Sequence, residues 1–196
     1  MGVNLLASRH RMMTLNPRSL PPAYQQVDYL FRSNSHVGPY SQVSLPIATG
    51  DVMTIRVKGI DLSGESAFAG NPNTDNQVEL YYQKNTKKLV SYPSARVVRS
   101  DQSYQSDGDE PDVLIVTAVA DFTLLNWGVY RTTNYYFNGK MFSMTIVGSN
   151  GLTKHNFVAC YRKADNVPGF YDTQTQTFYT SDDNSGSWVL PADYET

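Results

Sequence analysis

From Pro22 onward the chain is written in short runs that alternate apolar and polar residues, broken every few positions by turn-forming pairs. Side chains of a strand point to opposite faces in turn, so this period of two marks strands with one buried and one wet face. Met53, Ile55 and Val57 alternate with Val52, Thr54, Arg56 and Lys58. Val78, Leu80 and Tyr82 alternate with Gln77, Glu79 and Tyr81, and Phe142, Met144 and Ile146 alternate with Met141, Ser143 and Thr145. Leu89 to Tyr92 and Arg96 to Val98 read as short strands separated by Pro93, and Asn156 to Tyr161 as a longer one. Two short strands follow, around Phe170-Tyr171 and Phe178-Tyr179. Val113 to Val119 is a continuous apolar run, expected to be buried on both faces or central in a sandwich. Asn71-Pro72-Asn73, Asn138-Gly139, Asn150-Gly151 and Asn184-Ser185-Gly186 supply turn chemistry, and Asn150-Gly151 predicts a tight hairpin between the Ile146 and Phe157 strands. Roughly ten to thirteen short strands at hairpin spacing predict an all-β fold, an antiparallel two-sheet sandwich or barrel.

A chain of 196 residues is long enough to bury roughly 70% of its unfolded surface as one domain, without disulfide or metal. Charged residues make up only 17% and tyrosines number 14, a profile suited to pleated surfaces and poor for helices. The net charge of −2 provides no general attraction for nucleic acid. No apolar run approaches the ~20 residues of a membrane helix, so no membrane insertion is expected. Cys160 is the lone cysteine and sits in the apolar stretch Phe157 to Cys160, where a buried structural thiol is expected.

Residues 1–19 differ from the rest. Arg9, Arg11 and Arg18 are unaccompanied by any acidic residue, and Leu5, Leu6, Met12 and Met13 make a small apolar stripe before Asn16-Pro17. The segment is a poor signal peptide, lacking a charged region ahead of its short apolar stretch. It reads either as a terminal tail or as an arm that orders on a partner, with Leu5, Leu6, Arg9, Arg11, Met12 and Met13 as its docking residues.

The residues of catalysis are scattered. His10 lies in the basic arm, and His36 and His155 stand in loop-like contexts. No nucleophile elbow, phosphate loop or dinucleotide fingerprint occurs. One cysteine and three histidines do not make a zinc set. Ser100 to Asp112 reads as a hydrated loop; its Asp107-Gly108-Asp109-Glu110-Pro111-Asp112 stretch could attract Ca²⁺ but departs from the order of a calcium loop, so no cofactor is expected. Glu65, Glu79, Glu110 and Glu195 form no carboxylate pair of the glycosidase kind, and the chain is expected not to be an enzyme. Gln77, Glu79 and Tyr81 share a strand face that is either an ordinary solvent face or a sugar platform, where Tyr stacks on a ring and Glu and Gln meet hydroxyls. Trp127 reads as an exposed loop aromatic or as a core residue capping the sandwich.

Two blocks of residues resemble a known family. Leu20-Pro21-Pro22-Ala23-Tyr24, continuing to Val27-Asp28-Tyr29-Leu30, is similar to the opening of laminin-G-like, concanavalin A-like jelly-roll domains of phage and prophage virion proteins and of gut-bacterial surface proteins. Phe137-Asn138-Gly139-Lys140-Met141-Phe142-Ser143, Asn156 to Lys163, Gly169-Phe170-Tyr171-Asp172, Phe178-Tyr179-Thr180 and Gly186-Ser187-Trp188 resemble the family's closing strands in order and spacing. Departures are Ser33-Asn34-Ser35-His36-Val37 in the first hairpin, Ala159 where proline usually precedes the cysteine, and Pro168. The resemblance implies a jelly-roll sandwich over residues 20–196 behind an arm at 1–19. It further implies a bacteriophage virion location (head fibre, tail fibre or capsid decoration), assembled in the bacterial host cytoplasm. Other virion proteins would hold the arm, host surface glycans are expected ligands, and a homo-oligomer is expected. A purely structural virion protein is the alternative. Strand and turn residues carry the likeness, so it speaks to fold more than to function.

Overall fold

The computed structural model describes residues 20–31, 41–60, 66–71, 78–93, 97, 101–104, 111–127, 137–181 and 188–192, and it contains no α-helix among them. The docking residues proposed for the arm, together with Gln77, His10 and His36, lie outside the described residues. The strands are β1 (Tyr24–Gln26), β2 (Leu30–Phe31), β3 (Ser41–Ile47), β4 (Val52–Lys58), β5 (Ser66–Asn71), β6 (Val78–Gln83) and β7 (Lys88–Tyr92). They continue as β8 (Asp101–Ser103), β9 (Asp112–Thr117), β10 (Phe122–Trp127), β11 (Lys140–Val147), β12 (Thr153–Arg162), β13 (Val167–Asp172) and β14 (Thr177–Thr180).

These strands make two antiparallel sheets, a β-sandwich. One has the order β14-β13-β12-β11-β4-β9, and the other β3-β10-β5-β6-β7-β8. In the first sheet, β11 and β12 pair from Val147↔Thr153 to Ser143↔Val158 and then part. Into the fork go β1, which pairs with the far end of β12, and β2, which pairs with Lys140 and Met141 of β11. The chain changes sheet repeatedly. The 48–51 and 118–121 corners, which join β3 to β4 and β9 to β10, both cross from one sheet to the other at the same end of the sandwich.

The expected alternation produces the core. Met53, Ile55 and Val57 of β4 are fully buried while their neighbours are half-buried, and Val78, Leu80 and Tyr82 of β6 are buried against the half-buried Glu79 and Tyr81. Inner faces of the two sheets meet through Ile146, Phe157 and Phe170 on one side and Leu45, Phe68 and Leu124 on the other. Trp188 packs edge-on against Phe170 at 5.2 Å between ring centroids and is also in contact with Phe137. Burying such side chains stabilises by about 1.5–3 kcal/mol each.

Several sequence expectations are corrected. The apolar run after Asp112 is not central: β9 is at the end of its sheet, with Leu114 and Val116 in the core and Ile115 58% exposed. β-Branched residues favour extended backbone whether or not both faces are covered, so such a run does not distinguish the two cases. Phe142 does not share a face with Met144 and Ile146. A register shift between Met141 and Ser143 inserts one extra residue, so Met141 joins the core and Phe142 packs outside on Tyr29, centroids 5.4 Å apart. The Ser100 to Asp112 stretch is not all loop: Asp101–Ser103 pairs with β7 as β8, and Asp112 begins β9, where it meets Lys58. Of the expected 96–98 strand, Val97 makes a single isolated bridge with Ala118. The hairpin at Asn150-Gly151 is present but is a five-residue connection between Val147 and Thr153 rather than a tight two-residue turn.

Candidate functional site

The first candidate surface follows from strand register. Glu79 lies between Val78 and Leu80, both in the core, so its side chain belongs to the outward face of the six-stranded sheet. Directly opposed residues share a face. Asn126 of β10 faces Gly70 of β5, Gly70 faces Glu79 of β6, and Glu79 faces Tyr92 of β7. Four strands thus line up Asn126, Gly70, Glu79 and Tyr92 in one row, about 14 Å long at ~4.8 Å per strand. Gly70 adds no side chain and, like Asn126, is buried, so the open part of the row is Glu79 and Tyr92. The next row holds Ala67, Tyr81 and Val90. Tyr92 is 51% exposed, Tyr81 and Glu79 are half-buried, and Asn126, Ala67 and Val90 are buried.

The structure therefore keeps Glu79 and Tyr81 on a common outward face, as the alternation predicts. Trp127 is not a loop residue; it ends β10, where its backbone pairs with Ser41 and Ala69. Tyr92 and Asn126 were not picked out by sequence reasoning. The alternation within β7 groups Tyr92 with Lys88 and Val90, but nothing local announces that Glu79 will be its partner.

A second candidate lies at the end of the sandwich where the sheet-to-sheet corners meet the turns at 148–152 and 173–176. Hydrogen bonds tie these segments together. The Thr49 backbone N–H and hydroxyl both donate to Asp121 Oδ1, at 2.7 and 2.9 Å, and hold that carboxyl below its ordinary range. Lys154 Nζ donates to Asp51 Oδ2 at 2.7 Å, and the buried Asp51 also accepts the Ala48 N–H. The Ala118 N–H donates to the Asp51 carbonyl, and the Gly50 N–H to the Ala118 carbonyl.

Beside this ring is a cleft of about 730 Å³ lined by Pro46, Ile47, Ala48, Asp121, Phe122, Thr123, Lys154, His155 and Thr175. His155 is not a loop residue, contrary to the sequence reading: it pairs with Ile146 on β12 and stacks on Phe157. Its Nδ1 lies 2.7 Å from Asp172 Oδ2. Asp172 is wholly buried and accepts three further hydrogen bonds, from the Asn156 and Gln174 N–H groups and from the Thr175 hydroxyl. Burial pushes the Asp172 carboxyl up, but these four bonds outweigh it and bring its pKa down to about 2. Asp172 is thus a carboxylate at neutral pH and can only accept, so His155 Nδ1 must donate. The sequence gives no sign of this pair, because His155 and Asp172 are brought together by the β12–β13 register, in which Phe157 faces Asp172.

A smaller hollow of about 360 Å³ lies between Tyr29, Phe31, Lys140 and the 189–192 segment, with Lys140 Nζ 4.5 Å from the Tyr29 ring centroid. Cys160 is buried and its thiol is pushed up to about 12 by desolvation, as an inert core thiol requires. No group of three or more metal-ligating side chains occurs among the described residues.

The fold and these surfaces define a two-sheet antiparallel β-sandwich carrying a polar-aromatic sheet face and an end cleft. No family model matches the sequence, and neither a curated protein nor a solved structure matches the chain.

Proposed function

We propose that this chain is a lectin-like jelly-roll domain of the concanavalin A-like kind, displayed on the outside of a bacteriophage particle, where it binds host surface glycans without chemically altering them. The arm at residues 1–19 anchors it to other virion proteins, and the sandwich projects outward. The observation that carries the glycan reading is the outward pair Glu79 and Tyr92, opposed across β6 and β7, with Tyr81 beside it. It sets an exposed aromatic ring, Tyr92, directly opposite the half-buried carboxylate of Glu79, with a second half-buried tyrosine alongside. Such a surface can stack on a sugar's C–H face while meeting its hydroxyls. The repeated crossing between sheets and the resemblance of the closing strands support the jelly-roll assignment. Weak binding at one site suffices if the protein is a homo-oligomer carried in many copies on a particle, since tethering raises effective concentration.

A glycan array probed with the full chain tests this reading. Binding should appear for a defined glycan set and fall in Glu79→Gln and Tyr92→Ala, both partly exposed positions where folding is tolerant. An array that stays blank at high protein concentration refutes it. One observation favours the structural alternative, a virion protein with no sugar site: Ala67, Val90 and Asn126 on the same face are already buried within the chain, which narrows the open platform. That reading expects the blank array.

A further inference from the structure

We infer that the end cleft is a second ligand site, independent of the sheet face, and that its ligand is a neutral polyhydroxylated ring of hexose size. The cleft falls within the ~300–1,000 Å³ of small-molecule sites and draws its walls from both sheets. Pro46 and Phe122 give it an apolar side, and Thr123, Thr175, His155, Lys154 and Asp121 give it polar groups.

Hydrogen bonds hold His155, Lys154, Asp121 and Thr175 in position. His155 donates from Nδ1 to Asp172, which leaves Nε2 as its second ring nitrogen for a ligand in the cleft that this residue lines. Lys154 is held at Asp51, and one ammonium has three protons to donate. Asp121, fixed by Thr49, brings carboxylate oxygens to the rim. Acceptors and donors therefore both line the cleft beside its apolar side. Vicinal hydroxyls, each able both to donate and to accept, are the complementary chemistry.

Charge selects against the other ligand classes. Lys154, paired with Asp51, and Asp121 put one cation and one anion on the lining, and the buried Asp172 is bonded to His155. The Asp121 carboxylate, kept ionised by Thr49, repels a phosphate or carboxylate ligand. The Lys154 ammonium stands against an amine. A neutral polyol meets neither obstacle.

The test is an NMR titration of the isotope-labelled full chain with glucose, galactose, mannose and N-acetylglucosamine, with inorganic phosphate and methylammonium as controls. At least one sugar at millimolar concentration should move the His155 ring nitrogens and the Thr175 amide, and the controls should not. Thr123→Val keeps the shape of the wall and should weaken that sugar by about tenfold; His155→Gln should do the same if it folds. Glu79→Gln should leave the titration unchanged, which separates this site from the sheet face. No movement with any of the four sugars, movement with phosphate instead, or abolition by Glu79→Gln would each overturn the inference.

Discussion

Replacing Asp172 by Asn perturbs the most heavily bonded side chain at the cleft. The amide keeps one oxygen, so the Asn156 and Gln174 N–H bonds to Oδ1 can persist. The new NH₂ group meets His155 and the Thr175 hydroxyl, which can answer by moving the ring proton to Nε2 and by turning the O–H. Shape is thus retained and charge is lost. A carboxyl held at about 2 against an ordinary 3.8 corresponds to roughly 2 kcal/mol of folding free energy at neutral pH. Its side chain is 0% exposed, so solvent screening takes little from that figure. Because the folded value is the lower one, this stability is present above the unfolded value and is lost as pH falls from about 4 towards 2. Urea denaturation at a series of pH values reads both quantities. At neutral pH Asp172→Asn should be less stable by about 2 kcal/mol, and the gap to the parent should shrink as pH falls from about 4 and close below about pH 2. Equal stability at neutral pH, or parallel acid curves with a constant gap, would refute the account of Asp172 as a bonded, ionised staple.

Three further outcomes test the packing. Leu114→Ala should cost about 2–5 kcal/mol, whereas Ile115→Thr, one residue along the same strand, should change stability by no more than about 0.5 kcal/mol; denaturant midpoints of the two variants give the comparison. Gly169→Ala should destabilise by about 1–3 kcal/mol or more, read as a lowered melting temperature, because a methyl there would run into the Tyr179 carbonyl and the Phe178 ring. Cys160 should stay unlabelled by a thiol reagent in the native protein at neutral pH and react once urea unfolds it; rapid native labelling would contradict its burial.

The sequence by itself determined the all-β character and the core phase of strands such as β4 and β6, because a period of two fixes which side chains share a face without reference to any neighbour. It also put Glu79 and Tyr81 on one outward face and made Cys160 a core thiol. Apart from the β11–β12 hairpin, only the tertiary structure decided which strands pair, and it alone set the register. That register sets Glu79 opposite Tyr92 and places Asn126 at the end of the same row. It also brings His155 to Asp172 across β12 and β13, and turns Phe142 outward at a bulge. It leaves Ile115 exposed on an end strand that reads, in one dimension, like the centre of a sheet. Alternation is a property of one strand's backbone, whereas a site on a sheet is a property of several. Its members are joined by hydrogen-bond ladders between residues far apart in the chain, and the local pattern carries no record of them.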